Sequence, residues 1–363
     1  MADTRAFLAI GVEAARGTKE ATTVGFVPLE DFSLPKVDYM SKKRQGFRGE
    51  ETALGATTEE RWGEKWEGPF NMRFYTEAGG GNGIMGSLFK HFFGTATSSQ
   101  NAATGQYRHM FYAVNDPFGP GATLESKGLT FNENSTQSGT LKNFPFLGGR
   151  VKKITLKQEL GASLIMSIET MGQKLDTVTA GIASPTFAAE NLRCDYNNLD
   201  MRMGATVTRT GTAPDYTALS SNGAVVKPDS VTIEIERGMV DEQVLDGTTS
   251  PGKTSVGEIS GKLAMTIDYE DPASGFSSVD EFMAWIAGVS ETNFFLAWNT
   301  GTQAGTGDNH MLIIDLPACN RLGGPPEIKR DGKSKITLEY DFHYSATTKY
   351  AIGMLLKNTA AAV

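Results

Sequence analysis

Cysteine is nearly missing from this 363-residue chain: Cys194 and Cys319 stand alone, too few for a disulfide framework and spaced like no zinc motif. They read as two buried free thiols. Histidine is as sparse, with His91, His109, His310 and His343 scattered and no pair at metal-ligand spacing. Neither a metal nor a cofactor is expected. Positive charge is short too: the net charge is −8, so the surface as a whole repels phosphates and counterion release cannot drive nucleic-acid binding. No apolar run approaches the roughly eighteen residues that cross a bilayer. The short apolar run at 6–10, with Asp3 before it and Glu13 after it, lacks the basic n-region and the cleavage site of an export signal. A soluble protein made in a reducing cytoplasm is expected, with no membrane partner.

Catalytic signatures are also wanting. Gly81, Gly83 and Gly86 satisfy G-x-G-x-x-G, but no parallel βαβ rhythm follows them, so they read as a strand-to-helix turn. The carboxylate pairs Glu30/Asp31 and Glu59/Glu60 are adjacent, so in extended chain they point apart and cannot share a substrate. Asn134-Ser135-Thr136 is a glycosylation sequon in form only. Trp62 and Trp66, with Tyr75 nearby, leave one alternative open, a carbohydrate-binding or adhesive β module; flanking aromatics are more often core. No enzyme is expected.

What the chain does have is itself, twice. Glycine (41 residues) and proline (14) are plentiful, which favours turn-rich β structure. Phe70, Met72 and Phe74 after Gly68 lie over Leu263, Met265 and Ile267 after Gly261, each set at alternate positions and so on one face of a strand. A compact apolar segment ending in glycine follows each, Met85 to Gly94 and Val279 to Gly288, with helical spacing and a left-handed C-cap. Leu147-Gly148-Gly149 matches Leu322-Gly323-Gly324, and alternating strands close the copies at 164–169 and 336–344. The longer interval in the first copy reads as a longer loop. Earlier, a strand over 26–34 matches one at 231–236, and Leu199, Met201 and Met203 suit the first strand of the second copy. The fold expected is mainly β: two tandem antiparallel β-barrel or sandwich domains, 1–181 and 182–363, each with one flanking short α-helix and long loops.

One polar feature looks purposeful. The long loop of the first copy carries Lys42, Lys43, Arg44 and Arg48, whereas the equivalent stretch of the second carries Asp241, Glu242 and Asp246. Opposite signs at one place in a repeat give complementary surfaces if copies stack.

A duplicated β domain with one helix per copy, a long loop between its first strands and no catalytic constellation resembles the tail tube (major tail) proteins of long-tailed bacteriophages. The likeness runs from Gly11 through Gly17 to the closing strand at Tyr344. That resemblance implies a structural virion protein of the phage tail, assembled in the host cytoplasm. Rings stack into a tube that conducts DNA, and a two-domain chain closes as a trimer with pseudo-sixfold symmetry. It also implies tape measure, tail terminator and tail tip proteins as partners and only transient, non-specific passage of DNA, helped by an acidic wall. The long loops then reach the adjacent ring, making Lys42, Lys43, Arg44, Arg48, Asp241, Glu242 and Asp246 the inter-ring candidates.

Overall fold

Alternation dictates the architecture. In the strand Ser230–Glu242, Val231, Ile233 and Ile235 are buried while Glu234 and Glu236 face outward, the pattern of an antiparallel sheet with one dry and one wet face. The structure is a computed structural model that describes residues 6–31, 33–43, 59–77, 83–101, 103–137, 139–204, 206–244, 249–288, 291–323 and 333–361.

The first unit comprises β1 (Ala6–Val12), β2 (Gly25–Pro28), β3 (Lys36–Lys43), β4 (Glu59–Arg73), α1 (Ile84–Phe93), β5 (Thr97–Asn101), β6 (Gln106–Tyr112), β7 (Leu129–Gln137), β8 (Thr140–Glu159) and β9 (Ile165–Gly172). Two short strands, β10 (Lys174–Leu175) and β11 (Thr179–Ala180), fold back onto β8. The second unit comprises β12 (Leu199–Met203), β13 (Val207–Thr212), β14 (Asp215–Ser221), β15 (Ala224–Val226), β16 (Ser230–Glu242), β17 (Lys253–Asp268), α2 (Ser278–Ile286), β18 (Glu291–Gln303), β19 (Asn309–Gly323), β20 (Lys335–Phe342) and β21 (Gly353–Asn358). The protein is mainly β, as the patterning implies, with large antiparallel sheets and two α-helices among the described residues.

The units share one pairing scheme. In the first, β1 pairs with β2 and β7, β7 with β8, β8 with β9, β9 with β4, and β4 with β3. In the second, β12 pairs with β15 and β18, β18 with β19, β19 with β20, β20 with β17, and β17 with β16. Every one of these pairings is antiparallel. The units are then sewn together by β16 on β8 and by β21, which lies between β19 and β6. One apolar core runs through both, from Leu8 and Phe70 to Leu338 and Leu356.

Several sequence expectations change. The stretch 26–34 is not one strand: β2 stops at Pro28, Leu29 makes an isolated bridge to Met72, and β3 begins after Pro35, because prolines cannot donate to a ladder. Its counterpart β16 runs unbroken. The extra length after α1 is no plain loop but the hairpin β5–β6, which the second unit lacks. The glycine pairs are not equivalent either, since Gly149 faces Leu129 of β7 whereas Gly323 faces Glu339 of β20. Gly68 and Gly261 do correspond: a side chain would strike Pro35 at the first and the Phe342 ring at the second.

Candidate functional site

The densest polar chemistry lies at the junction between the units, and it begins with strand pairing. Ser230 to Glu236 of β16 run antiparallel to Glu159 to Lys153 of β8, so a strand of the second unit completes an edge of the first. The result is a continuous order β3-β4-β9-β8-β16-β17-β20-β19. Its wet face carries cross-strand ion pairs, Lys152 to Glu67 at 3.6 Å and Lys153 to Glu234 at 3.3 Å. That face is charge-paired instead of uniformly acidic.

Beyond the paired residues the hairpin β16–β17 leans onto the first unit. Arg16 donates to Asp241 at 2.7 Å and to the Thr254 hydroxyl at 2.8 Å, and its Nε reaches the Gly148 carbonyl at 3.0 Å. The side chains of Arg16 and Asp241 are 7% and 3% exposed, so this ion pair is shielded from solvent. Beneath it, Glu13 accepts from the amides of Gly17 and Gly148 and from Thr130, and fixes the turn that presents Arg16. Burial raises the Glu13 pKa while those amides act to lower it. Met239 of β16 packs with Phe118, Leu124 and Met171 of the first unit.

Arg237 supplies the other clasp. Its guanidinium donates to the carbonyls of Phe93, the last residue of α1, and of Val114, at 3.3 and 2.9 Å. A cation at a helix C-terminus is favourable both as a donor and through the dipole. Sequence reading missed Arg16, Glu13 and Arg237, although Arg237 had a signal: it continues the inward series Val231, Ile233, Ile235, where a charge needs a partner.

The charged-loop candidates fall into three groups. Arg44, Arg48 and Asp246 lie outside the described residues. Lys42 and Lys43 are in β3, in register with Glu60 and Glu59 of β4, so along its ladder the basic run faces an acidic one. Asp241 is turned inward onto Arg16 and Thr254, its charge already used within the chain, while Glu242 sits exposed and accepts from Ser255 at 2.5 Å.

Other chemistry finds little support. Trp66 is wholly buried with its Nε1 donating to the Leu147 carbonyl at 2.9 Å, and Tyr75 is 3% exposed, so two of the three aromatics of a sugar platform are core. Asn134 of the sequon is buried. Burial pushes both thiols up, and it pushes His91 down to about 3, leaving a neutral core imidazole. Among the described residues no group of three metal-ligating side chains comes together.

Among the described residues several strand edges have one neighbour, and two of these lie at the ends of the continuous order. Among the described residues β3 pairs only with β4, and the last residues of β19, from Arg321, pair only with β20. In the first unit the counterpart of the second margin, residues 153–159 of β8, is the edge that β16 fills. A family model described as phage tail tube protein matches residues 4–343. A search of curated proteins finds no match.

Proposed function

The chain belongs to the phage tail tube protein family, a family of structural tail components, and from that premise we propose that its copies close edge to edge into rings and that the rings stack into the conduit for DNA ejection. The observation that carries this reading is the β8–β16 ladder. Within one chain, the second unit adds its leading strand to the trailing edge of the first. Repeating that step between chains joins the margin of one copy that ends at the start of β3, near Lys36, to the Arg321 margin of the next and leaves Lys42 and Lys43 beyond the joint. A repeated head-to-tail contact makes a ring if its rotation closes. Ring closure also removes bare β edges that would otherwise invite uncontrolled addition.

The division into tube units at 181/182 fits β11, which ends at Ala180 on β8 of the first unit. Two units per chain make a trimer the pseudo-hexameric ring. The wet face of the continuous sheet then lines the channel, and its paired charges leave DNA little to adhere to. Tape measure, terminator and tip proteins would occupy the lumen and the two ends, and assembly in the host cytoplasm precedes incorporation into the virion tail. With Asp241 used internally, ring stacking falls to Lys42, Lys43, Arg44 and Arg48 on one side and to Glu242 and Asp246 on the other.

Electron microscopy of the purified protein tests this. Rings or tubes are expected, and dispersed monomers at high concentration would sink the reading. On the same grids, the variant Lys42→Glu/Lys43→Glu/Arg44→Glu should fold and form rings yet make short or no tubes; tubes of unchanged length would remove the stacking role of these residues.

A further inference from the structure

The two helices occupy the same place in the pairing scheme and meet opposite fates. In α1 the residues Ile84, Met85, Leu88, Phe89, Phe92 and Phe93 are all buried, so its apolar side chains are covered on every side. Its cover has two sources. The hairpin β5–β6 of its own unit brings Phe111 to 5.5 Å from Phe89, and the following unit brings Arg237 to the helix end.

Helix α2 is as apolar but only half covered. Phe282 and Trp285 lie under the Arg321 guanidinium, 5.7 and 5.8 Å from it, and Glu281 accepts from Tyr340 at 3.1 Å. The adjoining face presents Met283 at 55% and Ile286 at 58% exposure. No hairpin follows: α2 ends at Ile286 and β18 starts at Glu291. The last turn of α2 has no basic residue, whereas that of α1 has Lys90 and His91.

We propose that the Met283 and Ile286 face of α2 is covered by the β3 region of the next copy in the ring, residues 34–39. This rests on the ring reading and deepens it. For α1 the following unit is β16 of the same chain; for α2 the following unit is the first unit of another chain. The stretch that answers to Arg237 and Met239 is the start of β3, where Leu34 and Tyr39 are 40% and 46% exposed. Charge adds little: Asp280 opens α2, but Lys36 at the start of β3, 77% exposed, is already paired with Asp38 at 2.8 Å, so the apolar residues carry the match. The occupant is therefore a second copy of this chain, seated in continuity with the open β19 margin.

Site-directed cross-linking tests it on the full-length chain. The native thiols are buried and do not compete. With Ile286→Cys and Tyr39→Cys together, a short bismaleimide should link assembled protein into a covalent ladder that stops at ring size, while either single variant gives none. Independently, Met283→Glu/Ile286→Glu should keep the wild-type monomer melting temperature and lose rings on grids. Wild-type rings with no 286-to-39 link, or rings formed equally by the double Glu variant, overturn this surface and leave the ring reading standing. A wild-type protein that never assembles removes both. A ladder extending past one ring assigns the face to stacking and also overturns it.

Discussion

The first unit closes on itself and its sequel; the second has the same wiring and is left unfinished. Their strands pair in one scheme, yet α1 is sealed and α2 stands half bare, and the leading strand of the second unit is an unbroken β16, paired on both sides over Ser230 to Glu236, while that of the first is broken at Pro28 and Pro35. One pairing scheme therefore serves two different surroundings. A strand with neighbours on both edges is held extended by both ladders. One with a single neighbour is not, and its regularity waits on what arrives.

The largest expected effect breaks the helix comparison. Phe89 is fully buried, stacked 5.9 Å from Phe74, so Phe89→Ala should cost about 3–5 kcal/mol in urea unfolding of the monomer. Phe282→Ala, on the half-covered helix, should cost about 1–2 kcal/mol. Equal losses would mean that the helices are packed alike in solution.

Next comes the clasp between the units. Arg16→Ala strands Asp241 in a shielded site and should cost about 3 kcal/mol, whereas Arg16→Met with Asp241→Leu should restore most of it. Exposed Glu242 offers the contrast: Glu242→Gln should change stability by less than about 0.5 kcal/mol. A monomer indifferent to Arg16→Ala would show that the hairpin β16–β17 does not rest on the first unit.

The smallest effect sharpens a difference inside the cores. Glu133 of β7 faces Leu8, while Leu296 takes the same place in β18, facing Met201. Neither carboxylate oxygen of Glu133 has a hydrogen-bond partner among the described residues, and burial pushes its pKa up to about 8. The folded state thus holds this proton more tightly than the unfolded chain. Stability from it is complete below about pH 4.5 and is lost as pH rises through 8. Glu133→Gln should flatten the melting temperature between pH 5 and pH 8.5, with a gain of about 1–2 kcal/mol at the upper end. A wild-type profile already flat over that range would place the carboxylate in contact with water.

The legible parts of this fold were those where one short window holds the whole cause. Phe70, Met72 and Phe74 alternate because one sheet face is dry, and α2 announces itself through apolar residues at helical spacing from Val279 to Ile286; the structure adds the Ser277 hydroxyl, which accepts from the Asp280 amide at 3.0 Å. Hairpin β5–β6 was read as loop because Thr97, Ser98, Ser99 and Gln100 show no alternation; its strand character comes from β21, far away in sequence. The junction was hidden for a related reason. Asp241 looks like loop charge until Arg16, 225 residues earlier, is brought to it. Charge runs show where acids and bases are, but only the folded chain shows which are already spoken for.

Strand β21 has a temporal consequence. Residues 353–358 leave the ribosome after both strands they join, so β6 and β19 keep a naked flank until β21 arrives. A nascent polypeptide that has made β6 and β19 but not yet β21 therefore holds the two units without the strand that joins them.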